Sequence, residues 1–423
     1  MQQQVLSSRP SIRPAVLALG AAIAFLCASA RAGDLAYPNV AFSGFGSVGL
    51  THASIRSADF TSSIMKSSGA GRTERWSPDV DSRLGAQLDL TLNKELSAVV
   101  QAVSEQRKDG SYKPAIEWAN VKYQVSPDLS LRAGRIALPI FLAADYRKVG
   151  YAYPWVRTPV EVYNAIPLTS SDGVDANYRW NLGSVKNATQ VFYGRTKKDL
   201  WDNATVEAHG IAGLSHTTSY GDASVRMSFL TANLTIDLAR ELFDAYRQFG
   251  PQGVAIADRF DIAHRRTSAS SIGVNYDPGK WFAMAELGRI KTGGSYAGDS
   301  WTGYASAGFR SGDLTPYVAY AMVDPDSAIA DPGIALDTLP ASYRPLAATA
   351  NGYLQSSLAT IAVQSTVTVG TRWDLAPGMA LKVQYDRVSP TDGSRGTLVN
   401  VDPGRFRSGQ PFHVASAVLD FVF

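Results

Sequence analysis

Residues 82–92 read SRLGAQLDLTL, with Leu84, Ala86, Leu88, Leu90 and Leu92 on one parity and Arg83, Gly85, Gln87, Asp89 and Thr91 on the other. Alternation with period two predicts a β-strand with one apolar and one polar face. A polar face carrying an arginine, a glutamine and an aspartate suits a water-filled lumen better than the dry interior of a sandwich. The pattern recurs in residues 173–180, where Val174, Ala176, Tyr178 and Trp180 oppose Asp175, Asn177 and Arg179. It recurs again in residues 300–310, where Trp301, Ala305, Ala307 and Phe309 oppose Thr302, Tyr304, Ser306 and Arg310. Residues 96–105 show it more weakly, because Val99 and Val103 interrupt the polar parity.

The connections alternate in length. Short turns rich in turn-forming residues fall at 93–95, 126–128, 181–183, 277–280, 311–313 and 376–378. Long stretches fall at 53–81, 136–172, 230–266, 324–364 and 388–410. This arrangement predicts an all-β chain: a transmembrane antiparallel β-barrel of about 16 strands, with short turns at one rim and long loops at the other. Trp180, Trp281, Trp301 and Trp373, with Tyr123, Tyr276 and Tyr385, sit near strand ends on the apolar parity, as aromatic girdles at two membrane interfaces would. One loop segment, residues 235–249, has helical spacing of Leu238, Leu242, Ala245 and Phe249. Gly250-Pro251 is the expected stop.

The N-terminus adds a compartment. Arg9 and Arg13 precede an apolar run over residues 15–27, and small residues follow as Ala28-Ser29-Ala30 and Ala30-Arg31-Ala32. This reads as a signal peptide over residues 1–32, with the barrel over residues 33–423. The run is too short to span a bilayer as a helix. The single cysteine, Cys27, lies in that leader, so neither a disulfide framework nor a thiolate metal site is expected. The formal charge of +3 is carried by Arg9, Arg13 and Arg31 of the leader, which leaves about zero for the rest and gives no reason to expect a nucleic-acid partner.

Several motifs resemble the Gram-negative general porins: SGFGSVGL over residues 43–50, SRLG over 82–85, AGR over 133–135, LTPYVAYA over 314–321, and the terminal Phe423. The resemblance runs over nearly the whole chain after the leader. It implies an outer-membrane diffusion channel for small hydrophilic solutes, assembled as a homotrimer among outer-membrane lipid and lipopolysaccharide, with no cofactor. It also implies that the loop after the fifth strand, residues 136–172, folds inward as a constriction facing arginines on the opposite wall. Carried over by position, Arg83 is a wall arginine and Arg135 the arginine leaving the fifth strand. Strict alternation instead places Arg132 inward and Arg135 outward, unless the chain bends at Gly134. The loop departs from the family's acidic pattern, offering Asp145 and Glu161 among Arg147, Arg157 and several aromatics. The candidate pore-lining set is therefore Arg83, Gln87, Arg132, Arg135, Asp145, Arg147, Arg157, Glu161, Asp175 and Arg179.

Other signals carry less. Residues 44–49 fit G-x-G-x-x-G, yet the chain continues as strand and no helix opens there, so no dinucleotide site is expected. His52, His209, His216, His264 and His413 lack metal-ligand spacing. Asp324, Asp326, Asp331 and Asp337 share one loop and could hold calcium or simply be solvated. Arg72, Arg75, Arg265 and Arg266 could meet lipopolysaccharide phosphates. Three functions compete: a channel, either general or substrate-selective, an outer-membrane hydrolase, and a surface adhesin or structural barrel. A barrel of this size leaves an aqueous channel, and no local serine-histidine signature stands out.

Overall fold

The computed structural model describes residues 37–200 and 204–423; the expected leader lies outside the described residues. Sixteen strands form one antiparallel sheet: β1 (Asn39–Ala53), β2 (Arg83–Thr91), β3 (Leu96–Glu105), β4 (Ala115–Gln124), β5 (Leu129–Ala137), β6 (Ser170–Leu182), β7 (Val185–Asp199), β8 (Thr205–Tyr220), β9 (Ala223–Ile236), β10 (Arg265–Tyr276), β11 (Trp281–Lys291), β12 (Ser300–Phe309), β13 (Leu314–Pro325), β14 (Gln364–Ala376), β15 (Met379–Pro390) and β16 (Phe412–Val422). Each strand pairs with its sequence neighbours. The ring closes because β1 pairs with both β2, Ser47 opposite Arg83, and β16, Thr51 opposite Ser416. Closure leaves no sheet edge unpaired, which a lipid environment demands.

One parity of every strand faces outward. Val40, Phe42, Leu84, Leu88, Val121, Leu131, Val174, Leu214, Phe229, Val318, Val369 and Val383 are all exposed, as lipid-facing side chains of an isolated barrel must be. The expected girdle residues Trp180, Trp281, Trp301, Trp373, Tyr123, Tyr276 and Tyr385 are exposed with them. The opposite parity turns inward and carries Ser47, Thr51, Gln101, Gln190, Glu286, Lys382, Asp386 and Asp420, all buried.

Among the described residues four α-helices lie in the long connections: α1 (Val160–Tyr163), α2 (Arg240–Arg247), α3 (Gly250–Phe260) and α4 (Arg344–Leu358). The helix expected over residues 235–249 is shorter, because β9 continues to Ile236 where it still pairs with Val206. Gly250-Pro251 does not end helical structure. Proline stands in the first turn of α3, where its missing N–H leaves no intrahelical bond unmade. Helices α2, α3 and α4 bury Phe243, Tyr246, Ile256, Phe260, Leu354 and Leu358 in a common apolar cluster with Tyr296 and Ile361.

Candidate functional site: the lumen

The apolar run over residues 136–144 explains where the long connection after β5 goes. Ile136, Leu138, Ile140 and Phe141, with Trp155, Val162 and Tyr163 further on, pack in one cluster with the inward residues Phe192, Ile211, Leu230, Phe282, Tyr304 and Tyr317. Two close approaches between this segment and the wall need glycine. A Cβ at Gly273 would stand 2.3 Å from Leu142 Cγ, and one at Gly150 of the loop would stand 2.2 Å from the Asp420 carboxylate.

Polar bonds hold the rest of this segment to the inner wall. Leu142 N–H donates to Glu286 of β11 at 2.9 Å, Arg226 of β9 pairs with Asp145 at 3.0 Å, and Trp155 Nε1 donates to Ser306 of β12 at 2.9 Å. Lys382 of β15 is fully buried and donates to the carbonyls of Gly150, Tyr153 and Trp155 at 2.7, 2.7 and 2.9 Å, while also pairing with Asp420 at 2.8 Å. Arg157 is the hub of the network. Its guanidinium meets Asp81 at 2.7 Å and Asp386 at 2.9 Å, and donates to Ser416 Oγ at 2.5 Å. Burial opposes the Asp81 carboxylate, but the Arg157 charge and hydrogen bonds hold it below its ordinary value. Glu161 accepts from Gln364 Nε2 at 2.7 Å and from Thr366; burial pushes its carboxyl up.

These contacts engage mainly β8 through β16; on the side of β2 through β7 the segment is held by Lys148, which pairs with Glu105 of β3, and by packing on Phe192 of β7. There Gln101 donates to Gln87 and Gln87 to Asp89, at 2.8 and 2.9 Å. Arg132 pairs with Asp175 at 2.6 Å, and Gln190 also donates to that carboxylate at 2.9 Å. Arg83 donates to the Arg147 carbonyl at 3.4 Å. Arg147 in turn reaches the Ile166 carbonyl at 3.5 Å and stands 5.7 Å from the Tyr163 ring. Among the described residues neither Arg83 nor Arg147 has a carboxylate within ion-pair distance.

The ten sequence candidates therefore separate. Arg83 and Arg147 meet; Arg132 and Asp175 neutralise each other; Arg157, Glu161 and Asp145 are tied to the wall; Gln87 sits in the β2–β3 ladder. Arg179 is exposed near the short turn after β6. Arg135 does not line the lumen. Gly134 does take a φ of +124°, but the β5–β6 register runs unbroken from Ala133–Val174 to Arg135–Asp172, so Arg135 keeps the outward parity. It is tolerated there because it pairs with Asp172 at 2.7 Å close to the strand end, where an outward arginine costs far less than at mid-membrane. The sequence reading missed Lys382, Asp386, Asp420, Glu286 and Arg226. Lys382, Gln384 and Asp386 alternate with Leu381, Val383 and Tyr385, so parity could have found them. Asp81 stands outside any strand and gives no such signal.

Of the four aspartates Asp324 lies in β13 itself; in the loop that follows, Asp326 pairs with Arg289 and Asp331 with Arg259. Among the described residues no three His, Cys, Asp or Glu side chains gather as a metal site.

A closed sixteen-strand barrel with an apolar exterior and a charged, hydrogen-bonded interior defines a transmembrane channel. The Gram-negative porin family matches residues 17–393, and the chain belongs to it; it is an outer-membrane diffusion channel. No curated protein sequence matches the chain. Similar solved structures include the outer-membrane channel DcaP of Acinetobacter baumannii, with TM-score 0.52 and 12% identity over 93% of this chain and 100% of that one. The anion-selective porin of Comamonas acidovorans gives 0.52 and 12% over 91% and 100%. OmpF of Salmonella typhi, in complex with daunomycin, gives 0.51 and 11% over 91% and 98%. At these identities the likeness is one of fold.

Proposed function

We propose that this porin passes small hydrophilic solutes and ions with a preference for anions, through an opening bounded by residues 136–172 and the inner wall of β2–β7. The observation that carries this reading is that Arg83 donates to the Arg147 carbonyl and that, among the described residues, neither has a carboxylate within ion-pair distance, whereas Arg132 and Arg157 of the candidate set are paired and Glu105, opposite Arg83 in the ladder, is held by Lys148. Unpaired guanidinium groups in a narrow aqueous passage between low-dielectric walls concentrate anions and repel cations. Reconstitution in a planar bilayer tests it: the purified protein should conduct, and its zero-current potential across a KCl gradient should carry the sign of chloride preference. A folded barrel that does not conduct would favour the adhesin or structural reading.

The same reading carries no catalytic chemistry. His216 meets Thr189 Oγ1 at 2.9 Å beside Trp180, on the outward parity and away from the lumen. We further propose cleavage of residues 1–32, with the mature chain starting near Gly33, which N-terminal sequencing would check. Assembly as a homotrimer follows from family membership, and light scattering in detergent tests it. Contact with lipopolysaccharide is supported by the exposed Arg75 and Arg266 at the long-loop rim.

A further inference from the structure

Above residues 136–172, toward the long-loop rim, the inner wall stops being polar. The inward positions there include Val206, Ile211, Leu230, Ala232, Ala269 and Ile290 from β8 through β11. Leu138, Ile166 and Leu168 of the segment after β5 face them from one side, and Leu398 of the last long loop lines the same space. Together they enclose a cavity of about 860 Å³, within the usual size of a small-molecule site. A passage for water and ions alone gains nothing from such a wall, since apolar surface facing water is unfavourable and ions gain no contacts there.

One cation interrupts this lining. Arg395, on the loop between β15 and β16, borders the cavity, and among the described residues it has no carboxylate within ion-pair distance. Its backbone N–H is fixed to the Ala359 carbonyl at 3.1 Å, and burial lowers its basicity. Lys108, which donates to the Ile64 and Lys66 carbonyls at 2.9 and 3.0 Å, lies close enough that burial together with the Arg395 charge pushes its pKa down to about 7. The two carboxylates that line the cavity are Glu161, already bound to Gln364 and Thr366, and Glu241 on α2, which is exposed.

We propose that this cavity is a binding site for an organic monoanion with an apolar body, a medium-chain or aryl carboxylate, its head group on Arg395 and its body against the β8–β11 wall. A guanidinium presents the planar fork that a carboxylate accepts, and partial desolvation of the guanidinium strengthens that bond. The site would hold the solute ahead of the narrow passage. It rests on the channel reading, because a ligand held there reports itself by obstructing the current.

The experiment is current block in planar bilayers, with protein-free bilayers as the control for direct effects on lipid. Conductance in KCl alone is measured first, so failure to conduct counts against the channel and not against the site. Phenylbutyrate added on the long-loop side should then reduce the current in a saturable way, at concentrations where acetate has little effect. Arg395→Gln should raise the half-blocking concentration roughly tenfold or more. Ile211→Asn with Ala232→Asn should weaken the block by phenylbutyrate and leave that by acetate unchanged. The wild-type comparison of the two acids stands whether or not the variants fold. A conducting wild-type channel that treats phenylbutyrate and acetate alike would overturn the proposal, as would an Arg395→Gln channel blocked at the wild-type concentration.

Discussion

Arg132 and Asp175 stand directly opposite each other across β5 and β6, and the guanidinium meets the carboxylate at 2.6 Å. The pair adds almost no net charge to the lumen. Asp175→Asn should therefore free the Arg132 charge and increase anion preference, while Arg132→Ala should do the reverse by leaving Asp175 unpaired. The double variant should return close to the wild-type zero-current potential. Salt-gradient potentials for the three variants check this cycle, and equal shifts in all three would contradict it.

Arg157 ties residues 136–172 to the rest of the wall through Asp81 and Asp386. Breaking a buried ion pair by removing one partner costs about 3–5 kcal/mol. Because Asp386 remains, Asp81→Asn should destabilise by roughly the lower end of that range. Thermal unfolding of the barrel in detergent measures the loss, and an unchanged midpoint would mean that the pair contributes little.

If residues 136–172 narrow the passage, deleting the middle of that segment should raise single-channel conductance. Gly150→Val makes a finer version of the same change, because a side chain there would collide with Asp420 and Ser47. It should move the segment off the wall and alter conductance without removing any charge. Wild-type conductance in both folded variants would place the opening elsewhere.

Much of the barrel was legible because period-two alternation is a local property. Arg83 could be assigned to the inner face from Leu84, Ala86 and Leu88 alone. What was not legible depends on register and on distant contacts. Arg132 and Asp175 were both readable as inward, but nothing in their sequence positions says that they stand opposite each other. Arg157 looked like one loop arginine among several, because Asp81, Asp386 and Ser416 come from three other segments. Helix α3 was hidden behind Gly250-Pro251, which serves equally well as the end of one helix and the start of the next. The apolar lining at Ile211, Leu230 and Ala232 breaks the rule that inward positions are polar, so it weakened the strand signal where a binding surface lies.

Glu161 gives a pH prediction. Burial raises its pKa above the ordinary value of 4.5, so between these two values the folded protein keeps a proton that the unfolded chain has released. Its contribution to stability is full below about 4.5 and falls as pH rises through the folded pKa. Glu161→Gln fixes the neutral form and can still accept from Gln364. The variant should lose less stability than wild type as pH rises above that range, which thermal midpoints taken across pH would show. Identical pH profiles would mean that the carboxyl ionises without cost.

The most direct measurement is the zero-current potential of Arg83→Ala with Arg147→Ala in a KCl gradient, compared with wild type at low and at high salt. Among the described residues neither guanidinium has a carboxylate within ion-pair distance, and Arg83 donates to the Arg147 carbonyl. At about 0.1 M salt the screening length of ~10 Å is comparable with the dimensions of such a passage. We predict a shift toward cation preference in the double variant, larger at low salt than at high, with the barrel still folded and conducting. A folded, conducting double variant that keeps the wild-type potential at low salt would contradict the account, because the ions would then pass where neither arginine is felt.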